Sequence, residues 1–356
     1  MIRFLGHKQQ ALPVIRRRVS AIGGVETAAD LFCGTAAISR EFRSMGIQVN
    51  ANDTLLQCVE LAKAQLLFDR EPTFNALFGS EPALRHVPLA TIFDSPYNRV
   101  IALLNSLPGT EGFFYRNYSP GGTQTLETPR QYFTDYNARK VDSMRTTLRE
   151  WHLSGLIDDK ESALLLTDLM RAVNQVANIA GTYGYFLRNW NEAALSPIQL
   201  QRSPFTGGRL DHVVTRGDAN ELARGLVVDL AYLDPPYTKR QYSAYYHILE
   251  TIAAEDEPLI TGKSGLREWM SLASDYCYRR RAGKALEDLV DHIDAKYIMM
   301  SYNEDGHLSH DEIVSTLSKR GEPQFEEYDT LRYKSNAKNL REKLLKERLY
   351  WLAVKR

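Results

Sequence analysis

Residues 25–53 read VETAADLFCGTAAISREFRSMGIQVNAND, and their rhythm decides the fold. Residues 25–32 form an apolar run of strand length, closed by a loop of small residues, Cys33-Gly34-Thr35-Ala36. Residues 37–45 have helical character, and Gly46 stands where a left-handed residue ends a helix. Residues 47–51 form a second short strand, after which Asp53 or Thr54 can cap a helix over residues 55–67. Strand, helix, strand, helix predicts an α/β fold with a parallel sheet and right-handed crossovers.

Outward from this core the alternation lapses and then returns. Residues 80–134 are rich in Pro, Gly, Asn and Tyr, with weak periodicity and a turn signal at Tyr118-Ser119-Pro120-Gly121-Gly122. Helices are predicted over residues 137–151 and 158–180, separated by Gly155, with Asp158 and Glu161 at capping-box spacing. Residues 81–205 therefore read as a mostly helical insertion in a domain made of residues 1–80 and 206–356. The α/β pattern resumes with strands at 210–215, 227–233 and 296–301, a helix at 310–318, and a hairpin pairing 325–333 with 349–354.

With 356 residues the chain can bury a large core. A formal net charge of +0 leaves any nucleic-acid contact to local basic clusters. These occur at Arg16-Arg17-Arg18, at Arg279-Arg280-Arg281 with Lys284, and along residues 334–348. Cys33, Cys58 and Cys277 are too scattered for a disulfide framework or a zinc site. Residues 1–19, interrupted by His7, Lys8 and Arg16 to Arg18, do not read as a secretory signal, and no stretch has the length and apolarity of a membrane span. A reducing cytoplasm is the expected location, without membrane attachment.

Two segments carry chemistry. An acid at a strand end (Asp30), a small-residue loop with Gly34, and a second acid about 20 residues on (Asp53) make a nucleoside-binding constellation. The loop has one glycine, not three, so a dinucleotide pyrophosphate is not the expected ligand. A cationic sulfonium with an amino-acid tail suits an acidic loop better. Asp218, after a later strand, can accept from the adenine amine of such a cofactor.

The other segment is Asp234-Pro235-Pro236-Tyr237, directly after the apolar strand 227–233. Two prolines stop the ladder and stiffen the exit from the sheet. The Asp234 carboxylate and the Pro235 carbonyl can accept both N–H groups of a planar aryl amine. That favours a pyramidal nitrogen whose lone pair can attack a methyl group in line. Tyr237 can stack on the ring. A base in a duplex must first be rotated out, at roughly a few kcal/mol. Tyr242, Tyr245 and Tyr246, with Lys239 and Arg240, follow closely, although each tyrosine also suits simple packing on a helix.

In combination these segments resemble the DNA adenine methyltransferases of Dam and restriction–modification type, in the α order of motifs. The resemblance implies a Rossmann-like class I fold, S-adenosylmethionine as methyl donor without a metal, and double-stranded DNA as substrate, with a cognate restriction endonuclease as a possible partner. It places the catalytic residues at Asp234, Pro235, Pro236 and Tyr237, and the cofactor site at Gly6, Lys8, Asp30, Phe32, Gly34, Asp53 and Asp218. His7 departs from the glycine common at its place. The insertion and the segment 261–284 are the candidate target-recognition regions. Methylation of RNA adenine, or DNA binding without transfer, are the alternatives; incorporation of methyl groups into each polymer, and binding of the donor, separate them.

Overall fold

The computed structural model describes all residues except 1, 5–7, 9, 82–83, 85, 88–93, 206–207, 209–210, 332–343 and 356. Its strands are β1 (Thr27–Asp30), β2 (Gln48–Asp53), β3 (Val213–Arg216), β4 (Val227–Leu233), β5 (Ile260–Thr261), β6 (Leu266–Arg267), β7 (Asp294–Asn303), β8 (Gln324–Leu331) and β9 (Leu344–Ala353). Two compact units are built from them. Residues 5–62, 208–242 and 272–356 form a sheet unit, and residues 1–4, 63–207 and 243–271 form a helical unit.

The sheet unit holds seven strands in the order β3-β2-β1-β4-β7-β9-β8. The first five are parallel, and β9 runs antiparallel to both β7 and β8. This is the mostly parallel sheet that the alternation predicts. β4 is central, and every residue from Val228 to Leu233 is buried, as strands covered on both faces must be. Helices Arg279–His292 and His310–Ser318 help cover the sheet with Leu286, Leu289, Ile313 and Leu317, which join Ile298, Met300 and Leu352 in one core.

The amino ends of the strands are stapled by Asp229. Its Oδ2 accepts from the backbone N–H of Glu26 and Thr27, each at 2.9 Å, and its Oδ1 meets Lys296 Nζ at 2.7 Å. The strand order switches between β1 and β4, which run parallel: from β1 it goes outward to β2 and β3, and from β4 the other way to β7. In open parallel sheets ligands sit at the carboxyl ends of the strands beside such a switch.

The helical unit contains Pro96–Ser106, Asp135–Leu153 and Asp159–Gln175 as its longer helices. The predicted capping box forms: Asp158 Oδ1 accepts from Glu161 N at 2.8 Å, and Glu161 Oε2 accepts from Asp158 N at 3.1 Å. Asp142, on the longest of these helices, accepts the N–H groups of Gly112, Phe114 and Tyr115 at 2.8–3.0 Å and so caps the short helix Phe113–Tyr118. No described helix is long and apolar enough to cross a membrane.

Several elements differ from expectation, among them the helix predicted over residues 158–180, which ends at Gln175. β1 ends at Asp30, so Leu31 and Phe32 belong to the loop. Pro96–Ser106 is helical inside a stretch read as irregular; Ser95 Oγ caps it by accepting from Asn98 N at 3.2 Å, and Tyr97, Val100, Ile101 and Leu104 are its buried stripe. Its helical spacing was hidden by the surrounding Pro and Asn. β9 starts at Leu344, five residues before the predicted Leu349, which brings Glu347 into the sheet.

Candidate active site

The carboxyl ends of β1 and β4 are neighbours in register, Asp30 opposite Tyr232. The acid loop and the proline-stiffened corner therefore leave adjacent strands of one unit. Leu31 N donates to Tyr232 O at 3.3 Å, tying the first step of the loop to β4.

The loop after β1 is held in shape by its backbone. Gly34 has φ +51° and Ala36 has φ +56°, both left-handed. Glycine takes this conformation without strain, and alanine at a cost of about 1–2 kcal/mol. The tight turn is fixed by Ala36 N donating to Cys33 O at 2.7 Å and by Gly34 N donating to Asp53 Oδ2 at 3.0 Å. Asp53 Oδ1 also accepts from Leu55 N at 3.0 Å. Thus Asp53, at the end of β2, organises the loop through both oxygens of its carboxylate.

Asp30 is 1% exposed. Ser39 Oγ donates to its Oδ2 at 2.6 Å, while Oδ1 is buried with no hydrogen-bond partner among the described residues. Burial, reinforced by the charges of Asp234 and Asp53, pushes its carboxyl up to about 7 against the Ser39 bond. A buried acceptor left unmade costs about 1–3 kcal/mol. Such an oxygen is expected where a cationic ligand supplies the missing donor. Phe32 packs edge-on against Tyr276, ring centroids 5.3 Å apart. Asp218 is exposed and caps helix Ala219–Ala223, accepting from Asn220 N at 2.8 Å. Gly6 and His7 lie outside the described residues.

Around the corner after β4 the charges are arranged differently. Lys8 is 5% exposed, and its Nζ lies 3.0 Å from Asp234 Oδ1 and against Glu347 Oε1. Burial alone would depress this ammonium, yet Asp234 and Glu347 together hold it well above the usual lysine value. Burial also lifts the Asp234 carboxyl to about 6, with Lys8 opposing and Glu347 assisting. The Lys8 ammonium sits 5.6 Å from the centre of the Tyr237 ring. Pro235 is buried and Pro236 half-buried. Tyr237 is braced by Tyr302, edge-on at 5.9 Å, and its carbonyl accepts from His307 N at 2.8 Å. Gly306 fits this brace because a Cβ there would strike the Tyr302 ring.

Lys8, Asp30, Phe32, Gly34, Asp53, Asp218 and Asp234 to Tyr237 are thus all carried by the sheet unit. Tyr246, by contrast, is fully buried and stacked on Phe4 at 4.5 Å, the packing role that its helix suggests. The Arg16 to Arg18 cluster is engaged within the unit, and so is Arg348 of the 334–348 cluster, whose residues 334–343 lie outside the described residues. Arg17 pairs with Glu326 at 2.8 Å, Arg18 lies 3.6 Å from the Trp351 ring centre, and Arg348 pairs with Glu327 at 2.7 Å. Arg279, Arg280 and Lys284 are exposed on the first turns of helix Arg279–His292.

Residues 4–316 match the family described as D12 class N6 adenine-specific DNA methyltransferase. The chain belongs to this class. It is also similar in sequence to named proteins. It is 33% identical over 327 residues to type II methyltransferase M.FokI of Planomicrobium okeanokoites, covering 91% of this chain and 48% of that protein. It is 29% identical over 322 residues to modification methylase StsI of Streptococcus sanguinis, covering 89% and 46%. It is 30% identical over 339 residues to type II methyltransferase M.NlaIII of Neisseria lactamica, covering 94% and 93%. The chain thus spans about half the length of the first two relatives and nearly all of the third.

Four residues that touch or brace the candidate site are not among those the sequence singles out. Ser39 and Glu347 touch Asp30 and Lys8, and Tyr276 and Tyr302 brace Phe32 and Tyr237. Ser39 was recoverable, being one turn into the helix behind the loop. Glu347 was hidden between Lys346 and Arg348, where the charges read as a surface cluster.

Proposed function

We propose that this chain transfers a methyl group from S-adenosylmethionine to the exocyclic N6 amine of an adenine rotated out of duplex DNA. The observation that carries this reading is the adjacency of β1 and β4, which sets the unpartnered Asp30 Oδ1 in the field of Asp234. The donor set fits the cofactor: a buried carboxylate lacking a donor, a left-handed glycine open to close approach, and a second acid at the next strand end. Asp30 would take the amino-acid end, Asp53 the ribose hydroxyls, and Phe32 and Asp218 the adenine. S-adenosylmethionine supplies an electrophilic methyl group on a sulfonium.

The rest of the chemistry belongs to the chain. Lys8 occupies Asp234 Oδ1 and leaves Oδ2 to accept an N–H of the target amine. The Pro235 carbonyl accepts the other. Tyr237, braced by Tyr302, stacks on the base, worth about 1–3 kcal/mol. Orientation and prepositioned acceptors supply most of the acceleration. A carboxyl lifted to about 6 is also basic enough for Oδ2 to take up the proton that the methylated amine sheds. The helical insertion, residues 81–205, would read the target sequence, and a restriction endonuclease sharing that sequence would be the functional partner.

The test is expression in cells lacking adenine methylation, with modified bases mapped by single-molecule sequencing. Methylated adenine in one sequence context is the expected result. Asp234→Ala should abolish it while donor affinity, measured by calorimetry, stays within a few-fold. Near-full methylation by that variant removes the amine-binding role of Asp234. Methyl incorporation into RNA alone replaces the DNA substrate.

A further inference from the structure

Glu347 is a buried carboxylate paired with Lys8. It lies on β9, opposite Asn303 of β7 and Tyr328 of β8, and is 6% exposed. Its sequence neighbours Lys346 and Arg348 turn to Glu327, at 3.2 and 2.7 Å, but Glu347 turns to Lys8. A buried ion pair is a poor source of stability, and a well-packed apolar residue serves as well or better. Moreover, Lys8 already has a partner in Asp234, so Glu347 adds a second negative charge to an ammonium that one carboxylate would neutralise.

We propose that Glu347 is a positioning residue for methyl transfer, holding Lys8 as a second carboxylate partner beside Asp234 so that the catalytic carboxylate keeps Oδ2 turned to the target amine. This rests on the function proposed above. Held by one carboxylate, the Lys8 ammonium can swing and share both oxygens of Asp234. Held by two, it stays at Oδ1 and under the Tyr237 ring. The excess negative charge has a second effect. It keeps the Asp234 carboxylate more basic than a neutral pair would, and so a better acceptor. The other ionisable groups facing this set are Tyr232, Tyr237 and Tyr328, and Asp30 across from β1.

The experiment is the pH profile of kcat for the full chain on duplex DNA containing its methylation site. Glu347→Gln should lower kcat by about 10- to 100-fold, with KM for donor and DNA within a few-fold. Its acid limb should move to lower pH by about one unit, because a charge that raises the Asp234 pKa is gone. Lys8→Met should move that limb the opposite way. Should Glu347→Gln fail to fold, Glu347→Asp keeps the charge but shortens the reach, and should lower kcat with the limb in place. Wild-type kcat in either Glu347 variant, or a Glu347→Gln limb that does not move, overturns the proposal. A wild-type chain that methylates no DNA overturns the underlying function instead.

Discussion

The single residue that best shows the tension between stability and function is Asp30. A buried carboxyl with one oxygen unpartnered destabilises a ligand-free protein. Its proton is retained up to about 7, whereas in an unfolded chain it is lost near pH 4. The folded state therefore binds more protons between those values, and stability falls as pH rises through that window. Asp30→Asn keeps an acceptor for Ser39 and removes the charge. It should raise the unfolding free energy of the ligand-free protein by about 1–3 kcal/mol above neutrality, with no gain below about pH 4, read by thermal melts across pH. The same variant should bind S-adenosylmethionine at least about tenfold more weakly, since a charge-assisted bond is worth about 1.5–3 kcal/mol. A variant equally stable at all pH values, or with unchanged donor affinity, would remove Asp30 from this role.

At the scale of the element, β4 divides its two ends between different tasks. Asp229 near the amino end ties β1 and β7 to it, and Asp234 at the carboxyl end carries the proposed chemistry. Burial opposes the Asp229 charge, but Lys296 and the N–H groups of Glu26 and Thr27 hold its carboxyl down at about 2. That stabilisation is present above the unfolded value near 4 and is lost as pH falls toward 2. Asp229→Ala should cost about 1–3 kcal/mol near neutrality, shown by denaturant unfolding, while kcat of the folded fraction stays within about twofold. This division also explains what was legible. The run 227–233 followed by Asp-Pro-Pro-Tyr is local in sequence, and so are the loop after β1 and the acid after β2. The supports were not local. Glu347 reaches Lys8 across 339 positions, and nothing in an alternating charged strand announces which carboxylate will be buried. Helix Pro96–Ser106 was missed for another reason: composition outweighed a cap and an apolar stripe that were both present.

At the scale of the whole molecule, the proposed DNA substrate would be held by local arrangement, because the formal charge of the chain is zero. Arg17, Arg18 and Arg348 are engaged within the sheet unit. Arg279, Arg280 and Lys284 are exposed, and the first two sit at the start of a helix with no acidic residue in its first turn. Positive charge there opposes the helix dipole, so the cluster does not serve the helix itself. Replacing all three by glutamine should weaken DNA binding uniformly across sequences. The slope of log affinity against log salt should become shallower by about one for each phosphate no longer neutralised, with donor affinity unaltered. A salt slope equal to that of the unmodified chain would assign the phosphate-binding face elsewhere.

The long sequence separation between Lys8 and Glu347 has a kinetic corollary. Helices and the local β1–β2 crossover can form as soon as their own residues are free to collapse, but the three-charge cluster requires β9 to thread between β7 and β8. Pairings so distant along the chain arrive late on a folding route. During renaturation, helical signal and compactness would return first, and the ability to modify DNA would be the last property regained.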